Sequence, residues 1–393
     1  MKKNLKSGLW IVAVLGLATQ WILSKGLGVA LGPGWTALCS GLGILAAAFL
    51  ISWAAELAQL EIPPTLAFIL LALLTVLPEY AVDMYLAWQA GKDPHYTHFA
   101  LANMTGANRL LIGLGWSGIV IVYWWKTRQR EIVLEPEHRS AIWVLLAATL
   151  YSFILPWKHT LAWYDAIVLL LIFAVYVGLA LRAEVVEPEL EGPPELISRW
   201  PQAWRRLFTI LFFLLAGYTI YLAAAPFAES LLESGRALHL EEFILVQWLA
   251  PLASEAPEFL VALLFAWRLK PGPAFHAMLS SKINQWTLLV GMVPLAFSLS
   301  LGRLGSLPLD SRQVEELFLT SAQSLFAALI LFNLRFSLLE GLLLLVLFST
   351  QLFIPLPLIR YAYALLYLLL AAVLLLHLLK GVRKSSPIGG QPP

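Results

Sequence analysis

The stretch LLTVLPEYAVDMYLAW, residues 73–88, sets Pro78 and Glu79 inside an apolar run long enough for a membrane helix. A second stretch, APLASEAPEFLVALLFAW, residues 250–267, does the same with Pro257 and Glu258. A charged side chain at the centre of a bilayer costs about 2.5–3.5 kcal/mol on insertion scales and marks function by default. Proline at the same point removes a backbone donor and breaks the helix. One such step in each half of the chain is the pattern of a transporter built from two repeats, with its site near the membrane midplane.

Composition agrees with a membrane protein. Of 393 residues 60% are hydrophobic and 13% charged, against ~25% charged in soluble domains. The apolar runs are too long for barrel strands, so the expected class is all-α and polytopic. A net charge of +2 gives no case for nucleic acid as a partner. The single cysteine, Cys39, excludes a disulfide or a cysteine metal cluster within one chain. The basic start MKKNLK leads into an apolar stretch with no small-x-small cleavage site, so it is read as a first span rather than a signal peptide.

Twelve spans are expected: 8–24, 35–59, 63–90, 96–125, 140–157, 161–181, 206–226, 240–267, 274–301, 315–334, 336–353 and 358–379. With a cytoplasmic N-terminus, 17 of the 26 Lys and Arg residues fall inside, 7 outside and 2 within spans. That asymmetry supports the orientation by the positive-inside rule and puts both termini in the cytoplasm of a multi-pass cell (inner) membrane protein. The domain organisation read from this is an extra N-terminal span (1–34), a first repeat (35–182), a Glu/Pro-rich cytoplasmic linker (183–205), a second repeat (206–353), and an extra C-terminal span with a disordered tail (354–393). Five spans per repeat is an odd number, so the two repeats lie in opposite orientations.

The chemistry sits in four places. Thr75 precedes Glu79 by four residues and Ser254 precedes Glu258 by four, so in a helix each hydroxyl shares a face with its carboxylate. Asp83 and Glu255 add a second acid to each half. Carboxylates, hydroxyls and freed carbonyls are hard oxygen ligands suited to Na⁺, Ca²⁺, Mg²⁺ or proton exchange. The following spans carry polar clusters, Asn103, Thr105 and Asn108 in the first half and Ser280, Ser281, Asn284 and Gln285 in the second, which either glue helices together or line an ion path. Each cluster also holds a base, Arg109 or Lys282. Three roles are open for these bases: counter-ions to Asp83 and Glu255, tethered cations replacing a bound metal ion, or snorkelling groups. The first is favoured. His95, His98 and His276 form no metal set, and no HExxH, nucleophile elbow or phosphate loop is present, so no enzyme constellation stands behind the chain.

At LTVLPE (Leu74–Glu79), ANMTGANRLL (Ala102–Leu111), ASEAPE (Ala253–Glu258) and SSKINQ (Ser280–Gln285) the chain resembles the calcium/cation antiporter superfamily, which includes sodium/calcium and cation/proton exchangers. That family carries two inverted repeats reading GTSxPE and GNxxGSNxxN. The resemblance implies Glu79 and Glu258 as the central metal ligands, with Thr75 and Ser254 as hydroxyl or carbonyl ligands. Asn103, Asn108, Ser281, Gln285, Asp83 and Glu255 complete the candidate cation-binding set. The chain departs from the family at Ala107, where a ligating serine is expected, at Leu111, where an asparagine is expected, and at Val76 and Glu255, which replace a hydroxyl. Together with Arg109 and Lys282 these departures argue for fewer metal ions and a role for protons. The expected function is exchange of Ca²⁺, or a similar metal cation, for Na⁺ or H⁺ across the bilayer, with no cofactor. The alternatives are a monovalent cation/proton antiporter, or a non-transporting membrane scaffold or sensor on the same fold.

Overall fold

The computed structural model describes residues 2–61, 77–182, 190, 192–239, 242–352 and 356–385. Among the described residues thirteen helical segments, besides one short helix between the sixth and seventh, form the bundle: α1 (Lys2–Gly26), α2 (Pro33–Ala58), α3 (Leu77–Ala90), α4 (Pro94–Thr127), α5 (His138–Lys158), α6 (Trp163–Ala180), α7 (Gln202–Leu238), α8 (Glu242–Ser254), α9 (Ala256–Trp267), α10 (Pro271–Leu301), α11 (Ser311–Asn333), α12 (Leu338–Leu352) and α13 (Pro357–Ser385). Among the described residues nine helices are long and apolar enough to cross a membrane, and the bent pair α8–α9 makes ten. The remaining expected spans correspond to α3 and to α12, a shorter apolar helix. The start of the third expected span, with Thr75 and Val76, lies outside the described residues.

Burial sorts the helices. The most apolar stretch of α11 is 89% buried, whereas that of α13 is 17% buried and faces outward. A large apolar cluster joins α3 to α6 with α9 to α13, while two smaller ones gather around α1, α2 and α7. Between α6 and α7 a short helix, Pro193–Ser198, buries Ile197 against the α1–α2–α7 cluster.

Among the described residues four three-residue strands tie the helices at their ends. β1 (Glu131–Val133) pairs antiparallel with β4 (Arg335–Ser337), and β2 (Thr160–Ala162) with β3 (Ser306–Pro308). In each pair the central residues, Ile132 opposite Phe336 and Leu161 opposite Leu307, turn into the core. The same parts recur in the same order in both halves. Arg128 and Gly302 end α4 and α10 in the left-handed conformation, and His159 and Leu334 adopt it just before β2 and β4. Asp165 accepts a hydrogen bond from the Ala162 backbone N–H at 2.6 Å, and Glu340 accepts one from the Ser337 N–H at 2.7 Å. Each carboxylate satisfies a donor at the start of the helix after its strand, as a capping acid does. A turn of π-helix interrupts α4 at Leu111–Trp116 and α10 at Gln285–Leu289. Such turns are frequent at functional sites.

Candidate cation site

The second Pro-Glu step is a helix break. α8 ends at Ser254, Glu255 leaves the helix, and α9 restarts at Ala256, bent by 55° from α8. Pro257 falls in the first turn of α9, where a missing N–H costs nothing because no intrahelical partner exists there. In the first half, α3 is described from Leu77, with Pro78 and Glu79 in its first described turn.

The break sets a group of buried oxygens facing one another. Glu79 and Asp83 lie on α3, at 1% and 0% exposure. The Ser254 hydroxyl stands beside Glu79. Glu255 and Glu258 are each within coulombic range of Glu79. Asn103, on α4, lies beside Asp83. The Glu255 carboxylate accepts a hydrogen bond from the Gln285 amide at 2.9 Å. Among the described residues Glu79 Oε2, both Asp83 oxygens, both Asn103 amide atoms, Glu255 Oε2, Glu258 Oε2 and Gln285 Oε1 are buried without a hydrogen-bond partner. More than 90% of buried polar groups in folded proteins are paired, so a concentration of orphaned oxygens at one helix break needs an explanation. A cation that visits supplies one. No three acidic or histidine side chains among the described residues converge closely enough to hold a metal by themselves. Hydroxyl, amide and backbone oxygens would therefore share the coordination.

The polar clusters flank this group. Gln247 on α8 donates to the Thr105 hydroxyl at 3.3 Å, and Tyr80 donates to Asn284 at 3.3 Å. Neither Gln247 nor Tyr80 was singled out from the sequence. Tyr80 directly follows Glu79, and Gln247 is a polar residue in an apolar run, which were the available signals. Ser281 is half-buried one position before Lys282, and the neighbouring Ser280 hydroxyl bonds to Tyr176 on α6 at 2.6 Å. α4 crosses α8 backbone to backbone at Gly106: a Cβ there would lie 1.7 Å from the Gln247 carbonyl oxygen. Gly106→Ala should therefore lower stability by about 1–3 kcal/mol through overpacking and depress transport. Gly291→Ala, whose Cβ meets its nearest neighbour at 3.4 Å, should be close to neutral. Thermal unfolding in detergent, read alongside uptake, checks both, and equal melting temperatures for the two variants would contradict the assignment.

The bases correct one expectation. Arg109 does not pair with Asp83. Its guanidinium bonds to Glu316 on α11 and stacks on Trp248 of α8, 4.9 Å from the ring centroid. Glu316 also holds Arg312 at 3.1 Å and Arg360 of α13 at 3.1 Å, and Arg360 bonds Glu315 at 2.7 Å. Asp83 lies on α3 beside Asn103, and Glu316 is the acid that α11 presents to Arg109 on α4. Lys282 has Glu255 in coulombic range but donates to Asn108, at 2.8 Å to Oδ1 and 3.3 Å to the main-chain oxygen. At the end of the bundle His98 bonds the Asp310 carboxylate, which also caps α11 through the Gln313 N–H at 2.8 Å. Burial alone would raise the Asp310 carboxyl, but the bonds from His98 and the Gln313 N–H outweigh it and hold the group below its usual range.

A helical bundle broken at a Pro-Glu step, with buried acids from two halves of the chain in mutual range, defines a membrane ion-transport architecture. Residues 31–182 and 208–356 match the sodium/calcium exchanger protein family, and the chain belongs to it. A solved structure of the H⁺/Ca²⁺ exchanger CAX is 42% identical, covers 97% of each chain and superposes with a TM-score of 0.92. The Ca²⁺/H⁺ antiporter protein YfkE shares the fold at 14% identity, over 88% of this chain and 99% of its own, with a TM-score of 0.65. The sodium-calcium exchanger NCX_Mj does so at 17% identity, over 79% and 94%, with a TM-score of 0.52. No curated protein matches the chain.

Proposed function

We propose that this protein exchanges Ca²⁺, or a closely similar cation, for protons by alternating access between two inverted five-span repeats. The observation that carries the proposal is the set of unpartnered buried oxygens around Glu79 and Glu258, drawn from opposite halves of the chain. The paired strands, the matched left-handed turns, the capping acids Asp165 and Glu340 and the two π-turns support repeats at 35–182 and 206–353, with 1–34 and 354–393 outside them. The lysine and arginine distribution supports cytoplasmic termini. Glu79 and Glu258 bind the metal ion, assisted by Ser254 and Asp83, and Thr75 is assigned to the same set from sequence. When the metal leaves, protons replace its charge, because two bare carboxylates in a low-dielectric site are too costly. The likeness to an H⁺/Ca²⁺ exchanger at 42% identity favours protons over Na⁺ as the coupling ion. The separate apolar cluster of α1, α2 and α7 gives the moving layer.

Purified protein in proteoliposomes, given a pH gradient or a Na⁺ gradient, tests this through ⁴⁵Ca²⁺ uptake. Uptake driven by the pH gradient is the expected result. Uptake driven only by Na⁺ would reassign the coupling ion. No uptake under either gradient, from protein that is monodisperse and melts cooperatively, would leave a scaffold or a monovalent cation/proton antiporter.

A further inference from the structure

We propose that Lys282 is a resident cation: its ammonium fills the place of a second transported ion, shuts Na⁺ out of the site, and so sets the exchanger to couple to protons. The proposal rests on the antiporter reading above and adds to it the residue that determines ion choice.

Lys282 is among the largest fully buried side chains of the molecule, at 0% exposure. Its Nζ sits on two oxygens of one residue, Asn108 Oδ1 at 2.8 Å and the Asn108 main-chain oxygen at 3.3 Å. The Asn108 amide is locked in place, because its Nδ2 donates to the Met104 carbonyl of the same helix at 2.9 Å. That bond turns Oδ1 away from α4 and makes it, with the neighbouring carbonyl, half of a hard-oxygen cation site. The remaining surroundings also suit a monovalent cation. The Trp286 ring lies under Nζ, 4.5 Å from its centroid. Glu255 is within coulombic range, fixed by Gln285.

Position explains why a lysine fits there. Asn108 stands three residues before the π-turn of α4, and Lys282 three residues before that of α10. The two therefore occupy corresponding places in the two halves and meet side chain to side chain. One half supplies the oxygens and the other supplies the cation. Ammonium and Na⁺ carry the same charge and take the same oxygens, but the ammonium is tethered, so its effective concentration at those oxygens exceeds that of any free ion. It also balances Glu255. Glu79, Glu258 and Asp83 are then the acids left for a divalent ion or for its replacement by protons.

The test measures ⁴⁵Ca²⁺ uptake and ²²Na⁺ flux in proteoliposomes for wild type, Lys282→Met and Lys282→Gln. Wild-type Ca²⁺ uptake driven by a pH gradient is first established with NaCl replaced by choline chloride; its absence would overturn the proton-coupled reading itself. With that activity present, exchanging choline for Na⁺ should leave wild-type uptake unchanged, while both neutral variants should become Na⁺-inhibited and carry ²²Na⁺. Variants that still transport Ca²⁺ but ignore Na⁺ overturn the assignment of Lys282. Wild-type protein decides independently of whether the variants fold: a Na⁺-dependent rise in its unfolding temperature, absent with choline, also overturns it. Lys282→Arg, which keeps the charge, should remain insensitive to Na⁺.

Discussion

Replacing Glu79 and Glu258 together by glutamine should reduce gradient-driven ⁴⁵Ca²⁺ uptake to background without unfolding the protein. Glutamine keeps the shape and one carbonyl oxygen of glutamate but removes the charge. At 4 Å and an effective dielectric of 20 a unit charge pair is worth about 4 kcal/mol. Removing even one carboxylate from a bound divalent ion thus weakens binding by roughly 100-fold or more, since each 1.4 kcal/mol is tenfold. Each single variant should therefore fail as well, and the double variant should add little that flux can detect. Stability separates this site from a structural one. Glu79 Oε2 and Glu258 Oε2 have no hydrogen-bond partner, so neutralising the groups removes a desolvation cost, while the glutamine carbonyl oxygen still accepts the bonds made to the other oxygen. The double variant should melt at or above the wild-type temperature in Ca²⁺-free buffer, and should lose the Ca²⁺-dependent rise that ligand binding gives the wild type. A clear fall in melting temperature without Ca²⁺, or uptake within a few-fold of wild type, would remove these acids from the transport site.

Glu316→Gln should be the most destabilising single substitution among the buried ionic residues. Glu316 is 1% exposed and bridges Arg109 from α4, Arg312 from its own helix and Arg360 from α13. Removing one partner of a buried ion pair costs about 3–5 kcal/mol, chiefly because the opposite charge is left uncompensated. Here three guanidinium groups would lose the carboxylate they share, while Arg360 keeps its bond to Glu315. Arg109→Met should cost less, because Glu316 keeps Arg312 and Arg360, and because methionine still packs against Trp248. Thermal unfolding of the detergent-solubilised variants orders them. A Glu316→Gln protein as stable as Arg109→Met would show that the cluster does not hold α4, α11 and α13 together. The cluster also touches the broken helix, through Arg109 on Trp248 and Arg312 on Phe243 at 5.0 Å. Its loss should therefore reach the cation site as well as the packing.

Much of this molecule can be read directly from the chain. Long apolar runs must become helices in a bilayer, where unpaired backbone groups have no water to bond. The α8–α9 bend falls at the Pro257-Glu258 step, where Pro257 sits in the first turn of α9 and its missing N–H leaves no intrahelical bond unmade. Among the described residues the helix ends lie close to the ends of the expected apolar runs, except at α7, where the helix continues past the apolar run to Leu238. The three-residue strands escaped notice because each is too short for a period-2 pattern and gains its partner from the other half of the chain.

Which charges meet was a different matter. The sequence by itself determined that Arg109 and Lys282 lie inside spans and must find partners, because a buried base cannot stay unpaired. It could not choose those partners, since pairing depends on which helix faces which, and helix crossings are decided by side-chain fit over the whole bundle. Only the tertiary structure brought Glu316 to Arg109, the Asn108 oxygens to Lys282, and the Gln247 carbonyl against Gly106. Spacing along one helix is set by the chain itself, and so the acids beside each proline could be named in advance. Contacts between helices far apart in sequence arise from packing, and the order of residues along the chain does not specify them.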